Sequence, residues 1–205
     1  MKKLLFTFCF LFSTFAVHAA AVDSALVKKA ETYLNSITGL TGDFTQIAGN
    51  SRDTGTFSML RPGRVRLDYK RSPIQLISDG RDLYFYDSAL DQITTVPLNA
   101  TPAGILVRRN INLRTEDIVV TETNSDNDTF SLRMHIKDSE GLGNMYVVFG
   151  QSPVNLRAWT VTDATGARTE VSFSGLRTKT NFSRNFFQLP RHKTTSMGRG
   201  DSFYD

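Results

Sequence analysis

The sequence predicts a mainly β protein: one strongly curved antiparallel sheet, or an open barrel, with two helical elements covering its concave side. Three observations lead there. From Phe44 onward, apolar and polar residues alternate with period two, as in strands with one dry and one wet face. Short turn signals such as Ser78-Asp79-Gly80 separate the runs, so the strands follow one another as hairpins. Helical spacing or capping appears only near the start of the mature chain and between Pro97 and Asn110.

The first helix is marked by Leu26, Ala30, Tyr33, Leu34 and Ile37 at three- and four-residue spacing, with Asp23 or Ser24 as N-cap. Gly39 and Gly42 are expected to end it. A strand follows over Phe44 to Ile47, closed by the turn Gly49-Asn50-Ser51. Thr56 to Arg61 is the next strand. Then Val65, Leu67 and Tyr69 face one way, while Arg64, Arg66, Asp68 and Lys70 face the other. Leu83 and Phe85 share a strand beyond Gly80, and Gln92 to Val96 is another. Thr101 then caps a short helix with Pro102 at its first position, carrying Ile105, Leu106 and Val107. Strands resume with Phe130, Leu132, Met134 and Ile136, alternating with Ser131, Arg133, His135 and Lys137. Met145, Val147 and Phe149, then Trp159 and Val161, then Thr169, Val171 and Phe173 continue the pattern, and Phe186, Phe187 and Leu189-Pro190 are expected to close the core. The sum is about nine to eleven strands. Outward charges at Arg64, Arg66, Asp68, Lys70, Arg133 and Lys137 exclude an outer-membrane barrel, whose outer band must be apolar.

The chain opens as a secretory signal. Lys2 and Lys3 precede an uncharged apolar run from Leu4 to Val17, and small residues place cleavage after Ala19 or Ala21. The run is shorter than the roughly 20 apolar residues of a membrane span. Residues 1–21 are therefore read as a removed signal peptide, 22–191 as a single domain and 192–205 as a mobile polar tail. Without Lys2 and Lys3 the net charge falls from +4 to +2, too mild to argue for nucleic acid. Cys9 is the sole cysteine and lies inside the signal, so the mature chain is expected to have no disulfide, thiolate chemistry or cysteine metal site.

Catalytic signals are weak. His135 sits among Arg133 and Lys137 on a polar face, and His192 is in the tail. There is no Gly-x-Ser-x-Gly elbow, no His-Glu-x-x-His helix and no persuasive carboxylate pair, so no enzyme activity, metal or cofactor is expected. The Arg199-Gly200-Asp201 tripeptide is read as chance. The sharpest clue is Arg61, which falls in register with Phe57 and Met59 on the apolar face. A charge aimed at an apolar interior needs partners. Either Arg61 has them, or it turns to solvent at the Pro62-Gly63 corner.

The order of helix, Gly42-Asp43-Phe44-Thr45-Gln46, Arg61-Pro62, Tyr69, Ser78-Asp79-Gly80, Tyr86-Asp87 and Gln92 resembles the periplasmic outer-membrane lipoprotein carrier (LolA) family, over about Val22 to Pro190. The resemblance implies an incomplete β-barrel with a helical lid over an apolar cavity that takes the acyl chains of lipoproteins. It implies a periplasmic monomer that receives cargo from an inner-membrane lipoprotein-releasing ABC transporter. Delivery is to the outer membrane, through a lipoprotein receptor where one exists. By this resemblance Arg61 is the lid gate, expected to bond backbone carbonyls of the Pro102 to Val107 helix when the cavity is empty. Pro102, Ile105 and Leu106 belong to the lid. Phe44, Phe57, Met59, Val65, Leu67, Tyr69, Leu76, Leu83, Phe85, Phe130, Leu132 and Trp159 are expected to line the acyl-chain cavity. Val65 departs from the aromatic residue some members carry three positions after the Arg-Pro pair, and the C-terminal region also differs. The alternative is a lipid- or lipoprotein-sensing regulatory module of the same half-barrel type.

Overall fold

In the computed structural model, residues 21–190 are described except 139, 140 and 142. The expected signal sequence, apart from Ala21, and the expected tail lie outside the described residues. One helix, α1 (Ser24–Ser36), precedes eleven strands: β1 (Gly39–Ala48), β2 (Ser51–Leu60), β3 (Arg64–Tyr69), β4 (Ile74–Asp79), β5 (Asp82–Asp87), β6 (Gln92–Pro97), β7 (Ile118–Ser125), β8 (Thr129–Ile136), β9 (Asn144–Gln151), β10 (Val154–Thr162) and β11 (Arg168–Thr178). All pair antiparallel in one sheet, in the order β6-β5-β4-β3-β2-β1-β11-β10-β9-β8-β7. The first strand thus pairs with the last, while β6 and β7 are the two free edges and the barrel stays incomplete. The chain between those edges, 98–117, crosses the interior as a strap containing two 3-10 turns, Leu98–Ala100 and Pro102–Val107.

Local chemistry explains α1. The Asp23 carboxylate accepts from the Ala25 N–H at 2.8 Å, satisfying one of the free donors of the first turn. Val27, Ala30, Glu31 and Leu34 form its buried stripe, and three of these pack on the inner faces of β8 and β9. Gly39 and Gly42, expected as helix stops, are already inside β1. The helix ends at Ile37, whose backbone turns extended. Gly39 is required by contact: a Cβ there would meet the Lys179 carbonyl oxygen at 2.2 Å. β7 was not anticipated as a separate strand, because its burial is irregular and a bulge interrupts its pairing between Val120 and Glu122.

Two apolar clusters fill the concave side. The first joins Val27, Ala30 and Leu34 of α1 to Ile105, Leu106, Ile111 and Leu113 of the strap and to Phe130, Leu132, Met134, Met145, Val147 and Phe149. The second joins Leu40, Phe44, Phe57, Met59, Val65, Leu67 and Leu83 to Leu98 and Val107 of the strap. Trp159 contacts both clusters and sits edge-on to Phe57 and Phe173 at centroid distances of 5.7 and 4.7 Å. In this closed form the inner rings pack on one another.

The C-terminal phenylalanines do not close that core. Phe182, Phe186 and Phe187 pack together with centroids 5.0 Å apart. Phe186 lies against Arg66 on the convex face, where Arg66 donates to the Phe186 carbonyl at 2.9 Å. Arg66 is neutralised there by Asp68, with bonds of 2.7 and 2.9 Å. The cross-strand row Thr41, Ser58, Arg66 and Ile77 belongs to this outer face, and its burial breaks the wet-face rule that placed the aromatics inside.

Candidate functional site

β2 runs straight into the interior and delivers Arg61 there, 9% exposed. The guanidinium does not turn to solvent. Its Nε donates to the Arg108 carbonyl at 2.8 Å, and Nη2 donates to the Arg109 carbonyl at 2.8 Å and to Asn35 Oδ1 at 3.3 Å. Its Nη1 donates to the carbonyls of Leu34 and, at 3.1 Å, Ile37. The acceptors therefore come from two bodies, the C-terminal turn of α1, where the Leu34 carbonyl also accepts from the Ile37 N–H at 3.4 Å, and the end of the strap. No carboxylate faces Arg61 among these partners, so dipoles alone solvate the charge, and burial lowers its pKa. Acceptors inside Pro102–Val107 were expected. The bonds go instead to the next two carbonyls, Arg108 and Arg109, while the Val107 carbonyl accepts from the Gly63 N–H at 2.7 Å.

That bond adds a second hold at the same corner. Three consecutive strap carbonyls, Val107, Arg108 and Arg109, are caught by Arg61 and Gly63. Gly63 has φ +74°, and a Cβ there would meet Gly80 Cα at 2.5 Å, so only glycine brings the β2–β3 and β4–β5 corners this close. The strap end is itself built as expected: Thr101 Oγ1 accepts from the Gly104 N–H at 3.2 Å, and Pro102, Ile105, Leu106 and Val107 are buried. It forms a 3-10 rather than an α-helix. A cleft of about 590 Å³ lies beside it, lined by Pro62, Gly63, Asp82, Asn99, Arg108 and Arg109 among others.

The predicted lining residues divide. Phe44, Phe57, Met59, Val65, Leu67, Leu83, Phe130 and Leu132 are buried on the concave side, as parity requires. Tyr69, Leu76 and Trp159 are half-buried against the second cluster. Phe85 is the exception. It shares the inner face with Leu83 but lies farther from the strap, and it is 41% exposed. Tyr69 Oη donates to Gln46 Oε1 at 2.7 Å, and burial pushes its pKa up to about 12 despite that bond.

Two residues at the site were not singled out from the sequence. Glu31, 3% exposed, accepts from the Leu113 N–H at 2.8 Å and from Arg114 Nη2 at 2.9 Å. Asn35 donates to the Ile111 carbonyl at 2.7 Å and accepts from the Ile111 N–H at 3.0 Å. Glu31 carried the same signal as Arg61: a charge on a buried stripe, four residues after Val27 and three before Leu34. Asn35 carried none. Among the described residues no three His, Cys, Asp or Glu side chains gather into a metal site.

The chain is thus an incomplete antiparallel barrel whose apolar concave side is covered by one helix and a strap, both hydrogen-bonded to a single buried arginine. Residues 35–190 match the outer membrane lipoprotein carrier protein LolA family, and the chain belongs to that family. An outer-membrane lipoprotein carrier protein from Neisseria gonorrhoeae is 30% identical over 182 residues, 84% of this chain and 86% of that one. One from Methylococcus capsulatus is 28% identical, over 83% of this chain and 86% of that one. A solved LolA superfamily protein from Nitrosomonas europaea aligns over 81% of this chain and 98% of that one, with a TM-score of 0.40 and 11% identity. No helix among the described residues is long and apolar enough to cross a membrane.

Proposed function

We propose that this chain is a periplasmic carrier that takes up the acyl chains of lipoproteins released from the inner membrane and delivers them to the outer membrane. Arg61 supports this reading most directly: one buried cation holds α1 and the strap shut over an apolar interior. The acyl chains occupy the concave face lined by Phe57, Met59, Leu67, Leu83 and Trp159, displacing the lid. An inner-membrane lipoprotein-releasing ABC transporter loads the cargo, and an outer-membrane receptor accepts it where one exists.

The physics of release explains why a latch is useful. Burying acyl chain gains about 0.8 kcal/mol per methylene. Several long chains fully buried would exceed the practical affinity ceiling of about 20 kcal/mol, and such cargo would never leave. A lid whose closure over the empty interior is itself favourable opposes loading and aids release. The Arg61 bonds supply that opposing contribution, because loading must break them.

The test is to co-express the chain with a lipoprotein, purify it from the periplasm without detergent and examine it by native mass spectrometry. A one-to-one complex that requires the cargo's acyl groups is expected. Free lipid without lipoprotein would favour a sensing module, and no lipid of any kind would overturn the cavity reading.

A further inference from the structure

The sheet has two free edges, and they are finished in opposite ways. At β7 a bulge between Val120 and Glu122 interrupts the pairing, and Glu122 carries a charge paired with Arg133 at 2.7 Å. The chain just before α1 is bonded to this strand as well, since the Asp23 N–H donates to Thr123 Oγ1 at 2.8 Å. Bulges, charges and covering elements are the devices that stop a bare strand from recruiting another. β6 has almost none of them. Its sequence, Gln92-Ile93-Thr94-Thr95-Val96-Pro97, contains no charge, and its pairing with β5 runs without a bulge. Gln92 to Thr95 are all exposed, and the β-branched run Ile93 to Val96 favours an extended backbone.

Hydrogen-bond parity fixes which groups β6 offers. The Leu98 N–H donates to the Arg81 carbonyl at 3.0 Å, so the alternate residues Val96, Thr94 and Gln92 turn their backbone groups toward β5. Ile93 and Thr95 turn theirs outward, and among the described residues nothing bonds them there. Pro97, the next outward position, has no N–H to offer and closes the open stretch. Opposite Thr94 on β5 stands the exposed Phe85, and Phe85 in turn faces the half-buried Leu76 on β4. The open edge therefore borders the half-covered apolar face directly, one strand spacing of about 4.8 Å away.

We infer that β6 is the docking strand for the cargo's own polypeptide: the extended residues that lead away from the acylated cysteine pair with Ile93 and Thr95 as an added strand. The inference rests on the carrier reading and adds a second subsite to it. Acyl chains lying over Phe85 and Leu76 place the residue that bears them beside β6. The residues that follow reach the edge without crossing the molecule. Backbone pairing reads no side chains, so it accepts any cargo sequence that keeps its N–H groups at the paired positions. Two outward residues make a weak site for a free peptide, and equally for a second copy of this chain. A peptide held by its acyl chains meets the same edge at high effective concentration, and for it the short edge suffices.

The test compares two ligands, a triacylated cysteine amide and the same group bearing a Ser/Thr/Gly decapeptide. Binding is followed by fluorescence of Trp159, the sole tryptophan. The peptide-bearing ligand is expected to bind at least about tenfold tighter. Thr95→Pro removes one outward N–H and should cut that advantage to less than about twofold, whereas Thr95→Val keeps both the N–H and the advantage. N-methylation of alternate peptide amides makes the same test on the parent protein: one phase should lose the advantage and the other keep it. Equal affinities for the two ligands, a loss with Thr95→Val, or N-methyl phases that act alike would each overturn the inference. So would a ligand-free dimer that Thr95→Pro dissociates, which would give the edge to a second copy. Failure of the parent protein to bind either ligand would instead overturn the carrier reading on which the inference rests.

Discussion

The two halves of the sheet are built alike and finished differently. On the β8–β9 side, Leu132, Met134, Met145, Val147 and Phe149 are fully buried beneath α1, Ile105 and Leu106. On the β4–β6 side the same inward parity gives Ser78 and Leu83 buried near the strap, then a half-buried Leu76, and finally Phe85 and Ile74 at 41% and 39% exposure. A helix long enough to cover strands lies only over the first half. The second is closed by the narrow strap, through Leu98 and Val107. The covered half therefore buries more apolar surface, and under the proposed carrier function the half-covered one is the side expected to admit an apolar guest at little cost in existing contacts.

If that division is right, substitutions in the two halves act on different quantities. Phe149→Ala, in the covered half, removes a ring that stacks on Phe130 at 5.0 Å and meets Tyr33 edge-on, and should lower stability by about 3–5 kcal/mol in a denaturant titration. Next in size is Arg61→Leu at the junction, expected to cost about 1–3 kcal/mol in the ligand-free protein, because five carbonyl and amide acceptors lose their donor. That variant should also hold acylated peptide longer in a vesicle-transfer assay; normal onward transfer would remove Arg61 from the latch. Phe85→Ala, in the open half, should change stability by no more than about 0.5 kcal/mol yet weaken acylated-peptide binding. An unchanged affinity would confine the guest to the strap side of Leu83.

The smallest effect is electrostatic. Tyr69 titrates at about 12 rather than near 10, first because it is buried, so the fold favours its neutral form. Its contribution is therefore complete below about pH 10 and is lost as pH rises through about 12. Thermal unfolding followed from pH 9 upward should show this loss in the parent protein and a flatter curve in Tyr69→Phe. Equal curves would mean that the half-covered region already admits water around Tyr69.

Much of this was legible from residue order. Period-two alternation placed Phe57, Met59, Val65 and Leu67 on one face, and the same parity exposed Arg61 as a misplaced charge. Thr101 and Pro102 announced the start of the strap turn. Phe85 was misjudged because parity reports which face a side chain takes, not whether anything covers it. Phe186 and Phe187 were misjudged for the reverse reason, since hydrophobicity says that a ring will be covered without saying on which side of the sheet. Gly39 read as a helix stop because a clash with the Lys179 carbonyl is invisible until β1 pairs beside the end of β11.

By itself the sequence determined the strands other than β7, most of their inward faces, the helix and its cap, and the existence of one charge that needed partners. These depend on local spacing and on the preference of apolar surface for a dry environment. Tertiary structure alone decided that β1 would pair with β11, leaving β6 and β7 as free edges with the strap between them. It also decided which carbonyls would answer Arg61, and that Asn35 and Glu31 would bind the strap to α1. Those choices join residues up to about 140 positions apart, and a hydrogen bond at that separation is fixed by where the backbones meet, which no local pattern encodes.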